Sequence, residues 1–202
     1  MPDMLAFVIA AFFAAAPRIE HCLDERFLDN EGRFALAKPS PRATLIHAES
    51  GQPVPIDPSH QWIAGARDGD LVCVTDGHLF GWTEASKITL GPLPSPPKKA
   101  WLGRWEFAYS GGEPWIEIRQ RKDGKLHVSG YAEWRAHPDS TPNLGDLDFT
   151  GLPRGIIFDD AGGEVDCGIR LMLIGDRLLA KDNGYCGGMN VNFTTTYARA
   201  HR

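Results

Sequence analysis

The feature that most constrains the fold is a set of short stretches in which apolar and polar residues alternate, separated by turns that contain glycine. In the clearest of them, KLHVSGYAEW, one face holds Leu126, Val128, Gly130, Ala132 and Trp134. A period of two is that of a half-buried β-strand. The sequence at 122–125, KDGK, predicts a tight turn that joins this strand to the preceding WIEIRQR.

The rest of the C-terminal half repeats this pattern. CGIRLMLI and RLLAKD flank a turn at Gly175-Asp176, and NVNFTTTYAR is predicted to be the last strand. Its expected inward residues are Val191, Phe193 and Tyr197, and its expected outward residues are Asn190, Asn192, Thr194 and Thr196. About seven or eight such strands predict an antiparallel meander that closes as a small up-and-down β-barrel. Gly103 and Trp105 resemble the GxW pair of lipocalin-type (calycin-like) barrels, whose Trp closes one end.

A second β-rich domain is predicted before a proline-rich linker. The linker, GPLPSPPKKA at 91–100, has four prolines, which exclude helix and remove backbone donors from a sheet. In the domain at 38–90, Leu71, Cys73, Phe80 and Trp82 alternate with other residues around a turn at Asp76-Gly77. This pattern indicates a hairpin with one covered face. The whole chain is therefore expected to be all-β, with two small barrels.

The first domain resembles a bacterial SH3-like domain. The residues that carry the resemblance are Gly69, Asp70, Val72, Val74, Gly81, Trp82, Ala85, Ser86 and Ile88. The segment before them, ATLIHAESGQPVPI, lacks the LNVRSGPS sequence usual in such domains. The resemblance therefore implies the fold of the hairpin region more than a ligand groove.

The N-terminus and the cysteines point to export. The apolar run from Leu5 to Ala16 has the length of a signal-peptide core, so 1–16 is expected to be a signal peptide and 17–37 an extension; a buried helix is the alternative. Four cysteines in an exported chain favour disulfides. Two pairs allow three connectivities, of which loop closure and the domain boundaries favour Cys22 with Cys73 and Cys167 with Cys186. We expect a periplasmic or secreted protein with no stable membrane anchor.

The end of the chain, DNGYCGGMNVNF, resembles the C-terminal domain of uncharacterised exported proteins of proteobacteria. The matching residues are Asp182, Asn183, Gly184, Cys186, Gly187, Gly188, Asn190, Val191, Phe193, Tyr197 and Arg199. The resemblance implies a fold and a location outside the cytoplasm, but it does not imply a particular reaction. Three of these residues, Gly184, Gly187 and Gly188, are expected to allow a positive-φ turn into the last strand.

Several catalytic and metal-binding interpretations are weak. VDCGIRL resembles the nucleophile segment of wall-cutting cysteine peptidases, yet only His201 follows Cys167 as a base. Four acids of the meander could serve a glycosidase but are better explained as outward strand residues: Glu106, Glu113, Glu117 and Glu133. Weak calcium candidates are Asp159, Asp160 and Glu164, whose alternative is a solvated loop. No cofactor motif is present, and a net charge of -5 argues against nucleic-acid binding.

We therefore expect a noncatalytic binding protein of the bacterial envelope. The candidate binding residues are Tyr109, Ser110, Trp115 and Tyr185. One hypothesis is an inhibitor or immunity-type binder of a lysozyme-like, wall-degrading enzyme. The other is a peptidoglycan-binding accessory protein that acts through the SH3-like domain.

Overall fold

The computed structural model describes residues Cys22, Leu28, 34–108 and 114–200. The predicted signal peptide, most of the extension, and the candidate residues Tyr109 and Ser110 lie outside these ranges. The described chain is all-β, as predicted, and consists of two antiparallel sheets. No helix in the described ranges is long and apolar enough to cross a membrane.

The first sheet has seven strands in the order β3-β2-β6-β5-β4-β1-β7. They are β1 (Ala35–Pro39), β2 (Thr44–His47), β3 (Pro53–Pro55), β4 (Trp62–Asp68), β5 (Leu71–Thr75), β6 (Phe80–Glu84) and β7 (Ile88–Gly91). The predicted turn at Asp76-Gly77 joins β5 to β6. Asp76 Oδ1 accepts hydrogen bonds from the backbone N–H groups of His78 (2.9 Å) and Leu79 (2.8 Å). Gly77 supplies a φ of 89° that other residues rarely adopt.

The second sheet is the predicted meander. Its strands are β8 (Gly103–Phe107), β9 (Trp115–Gln120), β10 (Leu126–Trp134), β11 (Asn143–Gly151), β12 (Ile157–Asp160), β13 (Ile169–Ile174), β14 (Arg177–Asp182) and β15 (Thr195–Arg199). Within β8–β11 and within β12–β15 each strand pairs with its neighbours in sequence, and β15 pairs with β8. The seam between β11 and β12 is bridged by the rings of Phe149 and Phe158, whose centroids are 5.1 Å apart. The sheet is thus a nearly closed up-and-down barrel.

Trp105, the tryptophan of the GxW pair, belongs to the core of the barrel. Trp105 is fully buried, and its indole N–H donates to the carbonyl of Trp101 at 3.0 Å. The guanidinium of Arg199, on the last strand, lies 4.2 Å from the centre of the Trp105 ring. Arg199 also donates to the carbonyls of Leu102 and Ala100. The first and last strands of the barrel, β8 and β15, are therefore clasped together by Arg199.

A separate apolar cluster, which we call the junction, lies between the two sheets. It includes Cys73, Phe80 and Trp82 from the first sheet and Met172, Ile174 and Leu179 from the barrel. The sequence predicts one covered face of the β5–β6 hairpin, and that face is the one that forms the junction. The opposite face is buried as well, because Val72 and Val74 belong to the core of the first sheet. The hairpin is therefore covered on both faces, by the barrel at the junction and by the core of the first sheet on the other side.

The junction also explains one error on the last strand. Val191, Phe193 and Tyr197 are buried in the barrel as predicted, but Thr196 is only 2% exposed. Thr196 pairs with Leu179, which is a junction residue. The outer face of β15 is therefore covered at this point, although alternation predicts solvent.

The two disulfides are Cys22–Cys73 and Cys167–Cys186, with Cα–Cα distances of 5.6 and 4.3 Å. These are the two pairs that the sequence favours. Disulfides of this kind persist in oxidising compartments outside the cytoplasm. The first links the N-terminal segment to β5 at the junction, and the second fixes a loop of the barrel.

Candidate binding surface

The outer face of β8–β11 carries a row of aromatic and charged side chains, which we call the aromatic face. Trp115 on β9 and Tyr131 on β10 are directly opposite each other, with ring centroids 6.5 Å apart and planes inclined by 28°. The guanidinium of Arg104, on β8, lies 4.2 Å from the centre of the Trp115 ring. Both rings are partly exposed. Two stacked rings flanked by a cation form a flat platform that a ligand can reach from solvent.

The carboxylates around this platform are paired with arginines of their own strands. Arg104 Nε lies 3.0 Å from Glu106, and Arg119 lies 2.8 Å from Glu117. Three of the four acids weighed for a glycosidase, Glu106, Glu117 and Glu133, are therefore outward strand residues, whereas Glu113 lies outside the described ranges.

Glu133 shows how such a pair affects protonation. It accepts hydrogen bonds from Arg135 Nε and from the hydroxyl of Tyr131, the latter at 3.1 Å. The bond from Arg135 is the main reason why the pKa of Glu133 is lowered, against a smaller opposing effect of burial. Glu133 is therefore an anion at neutral pH, and it positions the Tyr131 hydroxyl at the edge of the ring platform.

The aromatic face continues onto β11. Asp146 lies opposite Tyr131, and Leu144, which is 47% exposed, lies opposite Glu133. Further along, His127 Nε2 lies 3.2 Å from Asp148. The face thus combines two aromatic rings, one exposed leucine and a fringe of carboxylates and bases on four neighbouring strands.

The segment 182–193, which we call the cysteine loop, borders this face. Its backbone runs against β11: the N–H of Gly188 donates to Leu144 O at 3.0 Å, and the side-chain amide of Asn143 donates to Met189 O at 2.7 Å. Gly145 and Gly187 form a bridge pair. A Cβ on Gly145 would lie 2.5 Å from Cys186 O, so the two backbones touch at this point.

This contact corrects the expected role of the loop glycines. Gly184 has a φ of 82°, as predicted, but Gly187 and Gly188 do not have positive φ; the other positive φ of the loop belongs to Asn190 (64°). Gly187 is required because a Cβ there would lie 2.7 Å from Val191 Cγ1. The glycines around Cys186 therefore serve close packing as well as turning.

The cysteine loop exposes two large side chains. Tyr185, a predicted binding residue, is 55% exposed and Met189 is 78% exposed, whereas the adjoining Cys186 is buried. Trp134, at the end of β10, is 38% exposed, although alternation predicts it to be inside. It lies at the barrel rim, where the interior has ended. The predicted residues Trp115 and Tyr185 thus belong to two adjoining surfaces, the aromatic face and the cysteine loop.

The metal and thiol candidates have structural partners. Asp159 is bound by Arg154 at 2.9 and 3.1 Å, Asp160 accepts from the N–H of Gly162, and Glu164 is exposed. No group of three or more acidic, histidine or cysteine side chains within the described ranges is arranged to hold a metal ion. Cys167 and Cys186 are bonded to each other, so neither has a thiol to act as nucleophile.

Sequence reasoning missed Tyr131 and Arg104 as members of the surface. The signal was present for Tyr131: the turn at 122–125 and the alternation of β10 together place it on the outer face beside β9.

Comparisons with protein-family models, with curated proteins and with solved structures find no match for this chain.

Proposed function

We propose that the protein is a noncatalytic binding protein of the bacterial cell envelope, and that the aromatic face binds glycan strands of the cell wall. The observation that supports this proposal most is the stacked pair Trp115–Tyr131 with Arg104 beside it. The C–H faces of sugar rings are apolar and pack on aromatic rings. Carboxylates and guanidinium groups around the rings supply acceptors and donors for the sugar hydroxyls.

The arrangement of charges supports binding rather than hydrolysis. A glycosidase needs two carboxyl groups that face each other across the scissile bond, one of them with a raised pKa. Here Glu106, Glu117 and Glu133 lie on one open sheet face, each paired with an arginine, and the pKa of Glu133 is lowered. Such carboxylates are suited to accept hydrogen bonds.

The proposed location rests on the disulfides and on sequence resemblance. The two disulfides favour an extracytoplasmic compartment. We propose further that residues 1–16 are a signal peptide, that the first sheet is an SH3-like domain, and that the barrel belongs to the exported proteobacterial domain it resembles. A periplasmic or secreted protein meets the wall directly.

Co-sedimentation with purified sacculi tests the glycan proposal. The protein is expected to sediment with sacculi, and Trp115→Ala and Tyr131→Ala are each expected to weaken binding by about tenfold, equivalent to about 1.4 kcal/mol. Tyr185→Ala serves as a matched control, because it removes an exposed aromatic ring from outside the aromatic face. If the wild-type protein stays in the supernatant, the proposal fails. If Trp115→Ala sediments like the wild type, binding belongs to another surface, such as the first sheet.

A second candidate function, inhibition of a wall-degrading enzyme, is favoured by the cysteine loop. The loop presents Tyr185 and Met189 to solvent while the disulfide and the hydrogen bonds to β11 hold its backbone. A preorganised loop loses little entropy when it enters a cleft. In assays with a panel of lysozyme-like enzymes, this function predicts inhibition that Tyr185→Ala and Met189→Ala weaken and Trp115→Ala does not. Full enzyme activity across the panel would exclude it.

A further inference from the structure

The turn between β5 and β6, residues 76–79, is fixed from two sides. Within the first sheet, Asp76 Oδ2 lies 2.8 Å from His60 Nδ1, while Asp76 Oδ1 accepts the two backbone hydrogen bonds of the turn. The Asp76 side chain is only 3% exposed. On the barrel side, a Cβ on Gly77 would lie 2.8 Å from Arg177 Cβ, so the turn packs directly on the start of β14.

Charged groups from three turns surround this contact. His60 lies between Asp76 and Asp57, whose Oδ2 is 3.9 Å from His60 Nε2. The barrel contributes Asp176 from the β13–β14 turn and Arg177 from the start of β14. His78 Nε2 lies 3.1 Å from Arg177 Nε and 3.5 Å from Asp176 Oδ1. His60 is thus a half-exposed histidine that, when protonated, is attracted by carboxylates of both sheets.

We propose that His60 is a pH-sensitive latch, whose protonation strengthens the docking of the first sheet onto the barrel through the β5–β6 turn. The link between proton and docking is Asp176, because it belongs to the barrel, its carboxylate lies 3.5 Å from His78 of the docking turn, and its negative charge acts on His60. Reciprocity then requires that docking favour protonation of His60 and that protonation favour docking. This inference is independent of the proposed binding function.

The direction of the pH effect follows from the charges. The hydrogen bond to Asp76 raises the pKa of His60, and the negative charges of Asp76, Asp57 and Asp176 add to this effect, while burial opposes it. A histidine whose pKa is higher in the folded state contributes stability that is fully present below its unfolded pKa of about 6.5. This contribution is lost as the pH rises through the folded pKa. Docking is therefore expected to weaken towards alkaline pH.

An NMR titration of the full chain between pH 5 and 9 tests the latch. His60 is expected to titrate with a midpoint above that of free histidine, and the backbone amides of His78 and Arg177 are expected to follow the same midpoint. Asp176→Asn should lower the His60 midpoint. Asp123→Asn is a matched control, because Asp123 occupies an exposed turn of the barrel and is not one of the carboxylates that act on His60. A His60 midpoint at or below that of free histidine, or one that Asp176→Asn leaves unchanged, would overturn the proposal.

Urea unfolding provides a second measurement. The wild-type midpoint is expected to fall between pH 6 and pH 8.5 by more than that of His60→Gln, which keeps a hydrogen-bonding side chain without the titratable charge. His47→Gln is the control, since His47 is bonded locally to Ser50. Parallel pH profiles of the wild type and His60→Gln would contradict the latch.

Discussion

The barrel and the first sheet differ in how each buries its apolar residues. Among the residues that the structure describes, the barrel has its own core of nineteen buried residues, whereas the first sheet has a core of eight. The first sheet compensates at the junction, where Cys73, Phe80 and Trp82 pack against the outer surface of the barrel. A closed meander can therefore complete its interior alone, while the smaller sheet relies on an external apolar surface. We expect the first sheet to be the dependent partner.

Neighbouring leucines of β14 allow the strongest test of this dependence. Leu179 belongs to the junction and Leu178 to the barrel core, and both are almost fully buried. Placing a carboxylate in either site is expected to cost about 4 kcal/mol, because the charge is buried without a partner. Leu179→Asp should release the first sheet and leave the barrel folded, whereas Leu178→Asp should unfold the barrel. Limited proteolysis with mass spectrometry distinguishes these results; equal degradation of the barrel in both variants would show that the two sheets unfold as one.

Removing each disulfide provides a second test of the difference between the two sheets, with a smaller expected loss of stability. They close segments with sequence separations of 51 and 19 residues. Loop-closure entropy then predicts a loss of about 4 kcal/mol for Cys22→Ala/Cys73→Ala and about 3 kcal/mol for Cys167→Ala/Cys186→Ala. Urea unfolding under oxidising conditions measures both. A larger loss for the barrel pair would mean that the cysteine loop contributes more to the fold than its length predicts.

The smallest expected effect on stability comes from disturbing the contact between β11 and the cysteine loop. Gly145→Ala should destabilise the barrel by about 2 kcal/mol, because the new methyl group would overlap Cys186 O and the Val191 side chain. Gly91→Ala is the control, since its Cβ meets nothing within 4 Å and its φ is not positive. Thermal unfolding of the two variants checks the difference. Equal stability would imply that the loop shifts away from β11 at little cost.

Local patterns predicted the strands and turns well because their causes lie within a few residues. β10 keeps the predicted alternation from Leu126 to Glu133, and turns lie at the predicted positions 76–77, 122–125 and 175–176. The disulfide partners followed from loop lengths and domain boundaries, which are also properties of the sequence. The outward position of Tyr131 has the same kind of cause, since it follows from the alternation of β10 alone.

The errors have a common origin in contacts between distant parts of the chain. Thr196 is buried where the outer face of the barrel adjoins the junction, and the sequence of its strand carries no sign of that cover. Gly187 is a glycine because β11 passes within contact distance, which no turn propensity reveals. The His60–Asp76 pair joins residues 16 positions apart in two different turns. Such features depend on how the sheets meet and not on what each strand prefers.

The clasp between Arg199 and Trp105 has a consequence for the order of events during folding. Arg199 is 97 and 99 residues away from the two carbonyls that it binds. One edge of β8 pairs with β9, but its other edge stays unpaired until β15, the last strand, is available. Contacts of such long range form late and slowly. A chain that is synthesised or exported starting with its N-terminus therefore has an unpaired β8 edge until residue 199 has also appeared. That interval is when unintended strand pairing is most dangerous and when a chaperone that shields the edge would improve the yield of folded protein most.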